Sequence, residues 1–350
     1  MLKRKIHPVG STPPEVADPF TWFLAHAGEP ANLTQLPIDF EQYWIIDYLR
    51  SLRARNGFRA VRFGHYQGYE DFMVYRPTSE LSWLDVSLDR GAKIDAALKA
   101  YEDLPAGKPP VQVCRAHPID LALFTFVGSI DARHPVRTGN GARLALKHQG
   151  LYEDDLTDEV AQVNTHATAH GIDAVFQLEE PHVLYALNKI PPALRPAAAR
   201  WLAERTARVL ALLPPGRAYL HLCYGRLGGK EAVAPRDMTP VVLYLNALSR
   251  RLARSAQTLP PVHIPAAYGQ HPPPIEDDYY APLARLDAAW EIIAGVAGPG
   301  MATQSHTALK LMETHAGRQA LAVTSRCGMG DYTEPQAADT MRLCLELADS

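Results

Sequence analysis

The sequence is short of several things, and each shortage removes a class of function. Its 35 basic side chains face 38 acidic ones for a formal charge of −3, so there is no surplus of positive charge to neutralise a phosphate backbone. Nucleic acid is not an expected partner. No apolar stretch approaches the roughly 18 residues of a membrane helix, and the basic opening Met1-Leu2-Lys3-Arg4-Lys5 runs into His7-Pro8 rather than an apolar segment. No membrane association is expected, and the location is expected to be cytoplasmic. There are only four cysteines, Cys114, Cys223, Cys327 and Cys344, separated by 109, 104 and 17 positions with no CxxC pair. In a reducing compartment such thiols are either buried or chemical. Nucleotide signatures are missing too, since no G-x-G-x-x-G follows an early strand and no GxxxxGK[ST] occurs.

What is present is a globular composition, 47% hydrophobic and 21% charged over 350 residues, enough to bury a large core. Eight short apolar runs read as strands: Lys5-Gly10, Val111-Cys114, Ala174-Leu178, Ala218-Cys223, Val241-Leu245, Pro261-Ile264, Glu291-Val296 and Ala320-Thr324. Helical spacing separates the later ones, most clearly over Pro192-Leu213, which stops at Pro214-Pro215-Gly216, and Pro335-Ala348 reads as the last helix. This alternation predicts an α/β fold, a (β/α)8 TIM barrel formed by residues 1–350 as a single domain. Residues 20–110 are too long for one connection. They are expected to form an N-terminal insertion over the barrel rim, with a hairpin built from Phe58-Phe63 and Asp71-Tyr75.

Chemistry in such barrels lies at the carboxyl ends of the strands. That filter selects His117, Glu179, Glu180, His221, Cys223, Asn246, His263 and Cys327. In a strand, residues i and i+2 share a face, so the imidazole of His221 and the thiol of Cys223 project together, and both are good zinc ligands. By itself this spacing is common and also fits a strand core. Cys327, in the Gly-rich turn Ser325-Arg326-Cys327-Gly328-Met329-Gly330 after the last strand, would face the same rim. Three soft ligands would then converge and leave one position open, as catalytic zinc sites do.

Other candidates have plainer readings. His166 and His170 stand at helical spacing in polar surroundings and read as a solvated surface pair, and Glu276-Asp277-Asp278 reads as a helix start. His182 is either a partner of the rim or a loop residue. The five tryptophans are expected to pack, with Trp44 or Trp83 as alternative covers for a substrate. Arg59, Arg62 and Arg76 are candidates for holding a substrate carboxylate. Cys344 reads as a buried thiol in the last helix, and Cys114 is open to either role.

Gln177-Leu178-Glu179-Glu180-Pro181, His221-Leu222-Cys223-Tyr224 and Cys327-Gly328, in that order, resemble the barrel of cobalamin-independent methionine synthase and its relatives in the uroporphyrinogen decarboxylase/methionine synthase-like superfamily. His7-Pro8-Val9-Gly10-Ser11 is similar to the first strand of such proteins. The resemblance implies Zn2+ bound by His221, Cys223 and Cys327, which activates a thiol for attack on a methyl group. It implies that Glu179 takes the place of the family's Asp-Glu-Pro acid, which holds the substrate amino group; Glu180, Asn246 and His117, selected by their place at strand ends, are expected to bind substrate beside it. The chain departs from the family in three ways. Asn246 stands where the family places a fourth, glutamate ligand, with Glu231 as a possible substitute. Gly298-Pro299-Gly300 stands at the family's catalytic histidine, so His263 or His271 would have to replace it. There is one barrel rather than two, which argues against folate as methyl donor. The resulting expectation is zinc-dependent methyl or alkyl transfer involving a small thiol or amino-acid-like substrate. The rivals are metal-free lyase chemistry of the uroporphyrinogen decarboxylase kind and a degenerate ligand-binding barrel.

Overall fold

The computed structural model describes residues 3–38, 44–128 and 135–350. Met1-Leu2 of the basic opening, and residues 39–43 of the expected insertion, lie outside them. Ten strands occur in the described chain: β1 (Lys5–Ile6), β2 (Leu36–Pro37), β3 (Phe58–Arg62), β4 (Val74–Pro77), β5 (Val111–Ala116), β6 (Ala174–Glu179), β7 (Ala218–His221), β8 (Val262–Pro265), β9 (Ile292–Ala297) and β10 (Ala322–Ser325). Eight of them form one parallel sheet in the order β1-β10-β9-β8-β7-β6-β5-β2. The parallel bridge between Ile6 and Leu33 joins its two edges. The fold is a (β/α)8 barrel, as the alternation of runs predicts.

The helices are α1 (Pro19–His26), α2 (Ile46–Ser51), α3 (Trp83–Val86), α4 (Gly91–Glu102), α5 (Pro118–Phe126), α6 (Pro135–His170), α7 (Pro181–Lys189), α8 (Arg195–Leu210), α9 (Thr239–Arg254), α10 (Asp277–Tyr280), α11 (Ala302–Ala316) and α12 (Glu334–Asp349). Proline stands in the first turn of α1, α5, α7, α8, α9 and α12. A missing N–H costs nothing there, and the fixed φ starts the helix where a strand has just ended. No described helix is long and apolar enough to cross a membrane.

One of the eight expected strands is misplaced. Val241-Leu245 is not a strand but the start of α9, whose buried positions Val241, Val242, Tyr244, Leu245, Leu248 and Leu252 follow a helical period. The missing strand is β2, two residues inside the region read as an insertion. That region therefore divides. Its two ends supply α1, β2 and α4 to the barrel, where Phe20, Phe23, Leu36, Ile94 and Leu98 join the main core. The stretch from Ile45 to Val86 has its own core of Tyr48, Leu49, Phe72, Tyr75 and Leu81, continued into α5 and α6 by Phe126 and Tyr152. The antiparallel β3–β4 hairpin belongs to this cap; β3 falls within the first aromatic-rich piece, and β4 overlaps the second only at Val74 and Tyr75.

A buried ion network fastens α6 to the barrel wall. Arg90 forks onto Glu159 through Nε (2.9 Å) and Nη2, while Arg115 on β5 meets Glu159 at 3.0 Å and also pairs with Asp155. Burial pushes the Glu159 carboxyl up, but the two guanidiniums outweigh it and hold the group below its usual range. Removing one partner from such a cluster costs about 3–5 kcal/mol, because a buried charge is left alone.

Candidate active site

β7 ends at His221, and the chain then turns so that Cys223 faces a loop after β10 carrying Cys327. The two sulfurs stand 3.4 Å apart, and both cysteines are free thiols. The turn requires Gly225. Its φ is +80°, and a Cβ there would lie 2.2 Å from the Tyr69 hydroxyl. Freed of a side chain, the Gly225 N–H donates to Cys223 Sγ at 3.1 Å.

One ligand atom each from His221, Cys223 and Cys327 lies within 4.8 Å of the others. His221 is buried and its Nδ1 has no hydrogen-bond partner. A buried imidazole nitrogen without a partner, two adjacent thiols and a backbone N–H aimed at one of them form a donor set that suits Zn2+. Of the two thiols, Cys327 is the one that ionises first. The hydrogen bond from Cys223, then the imidazole of His221 and the guanidinium of Arg226, hold it well below the ordinary thiol range against its burial. The same shared hydrogen bond, with burial, pushes Cys223 up.

These three residues line one wall of a cavity of about 560 Å³. Barrel loops contribute Val9, Gly10, Ser11, Glu179, Arg226 and Asp331, and the cap contributes Trp44, Ile46, Tyr66, Tyr69 and Phe72. The metal-ligand type side chains and both carboxylates sit on the barrel side, while the cap side is mainly aromatic, with Arg50 its one cation among the lining residues. Arg226 pairs with Asp331 at 2.8 Å, lies 4.0 Å over the Tyr332 ring and keeps a buried Nε with no acceptor. Burial, with Cys223 and Cys327 nearby, pushes the Tyr69 phenol up. Cys114 also lines the cavity, with its sulfur 3.1 Å from Gln112 Nε2.

Below the cavity the barrel interior is polar. His7 contacts Gln177 Oε1 at 3.1 Å and Thr34 Oγ1 at 3.0 Å, and its pKa falls to about 3, first through burial and also through the charge of His221. His263 lies in the same layer and stacks on His221, with ring centroids 4.5 Å apart and planes 7° apart. Gly295 makes room for it, since a Cβ there would lie 2.2 Å from His263 Nε2.

The structure thus brings His221, Cys223, Cys327 and Glu179 to one cavity, and the other expected site residues do not line it. His263 does not line the cavity. Its ring nitrogens face the carbonyl oxygens of Leu222 (3.1 Å) and Ser325 (3.2 Å), so it supports the loops that carry both cysteines rather than reaching a substrate. Asn246 lies in α9, where Nδ2 donates to the Arg285 carbonyl at 2.7 Å and Oδ1 accepts from the Asp287 N–H at 2.8 Å. It ties a helix to a loop and is no counterpart of a metal ligand. Glu231 does not line the cavity either; the carboxylates that do are Glu179 and Asp331.

His117 and Glu180 are fully buried behind the rim. His117 caps α5, accepting from the Ile119 N–H at 3.1 Å, and Glu180 accepts from the hydroxyls of Thr206 (2.6 Å) and Tyr244. His182 joins this cluster through Asp120 at 2.6 Å. Arg62 and Arg76 bond to backbone carbonyls of the cap and α5 and line a separate small cavity. The cations at the main cavity are Arg50, Arg90 and Arg226. No short motif marked these three, and Arg226 only follows Cys223 by three positions. Of the two candidate covering tryptophans, Trp44 reaches the cavity and Trp83 does not.

No protein-family model and no curated protein sequence matches the chain. Among solved structures it is similar to a B12-independent methionine synthase from Shewanella sp. W3-18-1 in complex with selenomethionine. The TM-score is 0.57 at 14% identity, covering 99% of this chain and 97% of that one. At that identity the likeness is one of fold.

Proposed function

We propose that the protein is a zinc-dependent methyl or alkyl transferase acting on a small thiol with amino-acid-like character. The observation that carries this reading is the convergence of His221, Cys223 and Cys327 within 4.8 Å at the wall of the large cavity. Zn2+ held by these residues supplies a Lewis acid that makes a substrate thiol nucleophilic at neutral pH.

The remaining work falls to the chain's own groups. Glu179 presents a carboxylate into the cavity to hold a substrate ammonium, and the guanidinium of Arg226, which lines the same cavity, is the cation beside the cysteines for a substrate carboxylate. Fixing both ends of an amino acid turns its side-chain thiol toward the cysteines, and orientation of this kind lowers the barrier without new bonding. Tyr66, Tyr69, Phe72 and Trp44 close the cavity from the cap side and exclude water from the transfer. The fold likeness to a methionine synthase solved with selenomethionine supports the substrate class.

The test is elemental analysis of the purified protein joined to a methyl-transfer assay in which small amino-acid thiols are the acceptors and an added methyl sulfonium is the donor, its CH3–S bond breaking as the new S–CH3 bond forms and the thioether leaving. The expected result is thiol methylation that stops on chelation and returns with Zn2+. Full activity in a rigorously metal-free preparation would contradict the reading.

A further inference from the structure

A second group of metal-ligand type lies at the opposite end of the barrel. α4 ends at Glu102 shortly before β5 begins, and α6 ends at His170 shortly before β6 begins. Both helix ends therefore lie beside the amino ends of the strands, away from the cavity. His166 and His170, one turn apart on α6, point at one carboxylate: His166 Nε2 is 2.8 Å from Glu102 Oε1, and His170 Nδ1 is 3.1 Å from Glu102 Oε2. One ligand atom from each lies within 4.8 Å of the others. The two rings stack at 4.5 Å with planes 19° apart.

We propose that Glu102, His166 and His170 form a second metal site, for a divalent borderline transition ion such as Zn2+, that clasps α4 to α6. Two features favour a cation over a simple hydrogen-bonded clasp. Asp95, two turns before Glu102 on α4, has Oδ1 3.8 Å from His166 Nδ1. At that distance Asp95 is an ion-pair neighbour rather than a hydrogen-bond acceptor, and it adds negative charge beside the imidazole whose Nε2 faces Glu102. The site also lies at the C-terminal turn of two helices, where the backbone dipole favours positive charge. Lys108 takes the carbonyl oxygens of Tyr101, Glu102 and Leu104, leaving the Glu102 carboxylate to the imidazoles.

Two nitrogens and a carboxylate, partly exposed, suit Zn2+, Ni2+ or Cu2+ and not Ca2+ or Mg2+. The location assigns the site to stability, since the amino ends of barrel strands carry no chemistry. It is independent of the cavity, shares no residue with it, and is read by difference.

The full-length protein, stripped and dialysed against increasing Zn2+, is compared with His166→Gln/His170→Gln and with Asp95→Asn. The double variant is expected to bind one Zn2+ fewer per chain and to lose the rise in melting temperature that Zn2+ gives the parent. Asp95→Asn is expected to keep the count and bind the ion at this site about 10-fold more weakly. His170→Gln alone, at the more exposed ring, is expected to weaken the same site by at least that factor and serves if the double variant folds poorly. Equal zinc numbers and affinities in parent and histidine variants would overturn the proposal, whatever the cavity binds, because that contribution is the same in all of them.

Discussion

Behind the cavity wall lies a second cluster of titratable groups, His117, Asp120, Glu180 and His182, all buried. Glu179 and Glu180 are neighbours in the chain, yet one opens into about 560 Å³ of space and the other is closed behind Thr206, Tyr244 and α7. Residue type does not separate the two clusters. What separates them is where the charge can go. At the rim, donors converge on a point with room beside it. In the closed cluster carboxylates are taken up by hydroxyls and an imidazole, so their work is to fix the turn that presents Glu179.

The largest difference between the clusters should come from the thiols. Cys223→Ser or Cys327→Ser is expected to weaken zinc binding by at least about 100-fold, since even outer partners of ligands cost 10–100-fold, and to abolish thiol methylation. Folding should persist, as an unfolding curve would confirm. Glu179→Gln keeps the shape and removes the charge. It is expected to raise KM for an amino-acid thiol by about 10–100-fold, the worth of a charge-assisted hydrogen bond of about 1.5–3 kcal/mol, with zinc content unchanged. Steady-state kinetics beside metal analysis would check it.

Glu180 should answer to pH instead. Burial pushes its pKa from 4.5 up to about 7 in the folded protein. Its protonated form is therefore the one folding favours, so its contribution is full below pH 4.5 and is lost as pH rises through 7, a change on the order of 3 kcal/mol. The Asp120 carboxylate likewise holds His182 up against its burial, which adds to the loss on the alkaline side. Denaturant unfolding across this range should show stability falling with pH, and Glu180→Gln should flatten that slope while zinc binding stays intact. Asn246→Ala is expected to have the smallest effect, about 1 kcal/mol of stability from two lost hydrogen bonds to a loop, with zinc content and activity at the parent level.

Much of the comparison was legible in the sequence, and the failures have physical causes. His221 and Cys223 stood out because a strand end and a thiol two positions later share a direction, and Cys327 because a Gly-rich turn follows the last strand. Val241-Leu245 deceived because a β-branched apolar run buried on a helix reads like a strand until the period is followed to Leu252. The two-residue β2, one residue of it proline, carries no alternation to read. Placing Asn246 at a strand end followed from that first error. His117 and Glu180 sit just past true strand ends, where the strand pattern does not show which side of the sheet a residue beyond the last pairing will take, and His263 lies inside β8, paired with His221 and Ile293. Arg226 and the cap aromatics reach the cavity only through tertiary packing.

The central claim is that both cysteines ligate one metal at the cavity wall. Loading the protein with Co2+ tests it most directly, because sulfur-to-cobalt charge transfer arises only from thiolate ligands and is blind to a site built from histidine and carboxylate. The account predicts an intense near-ultraviolet charge-transfer band that weakens in both Cys223→Ser and Cys327→Ser. No such band, or a band of equal strength in parent and both variants, would contradict it.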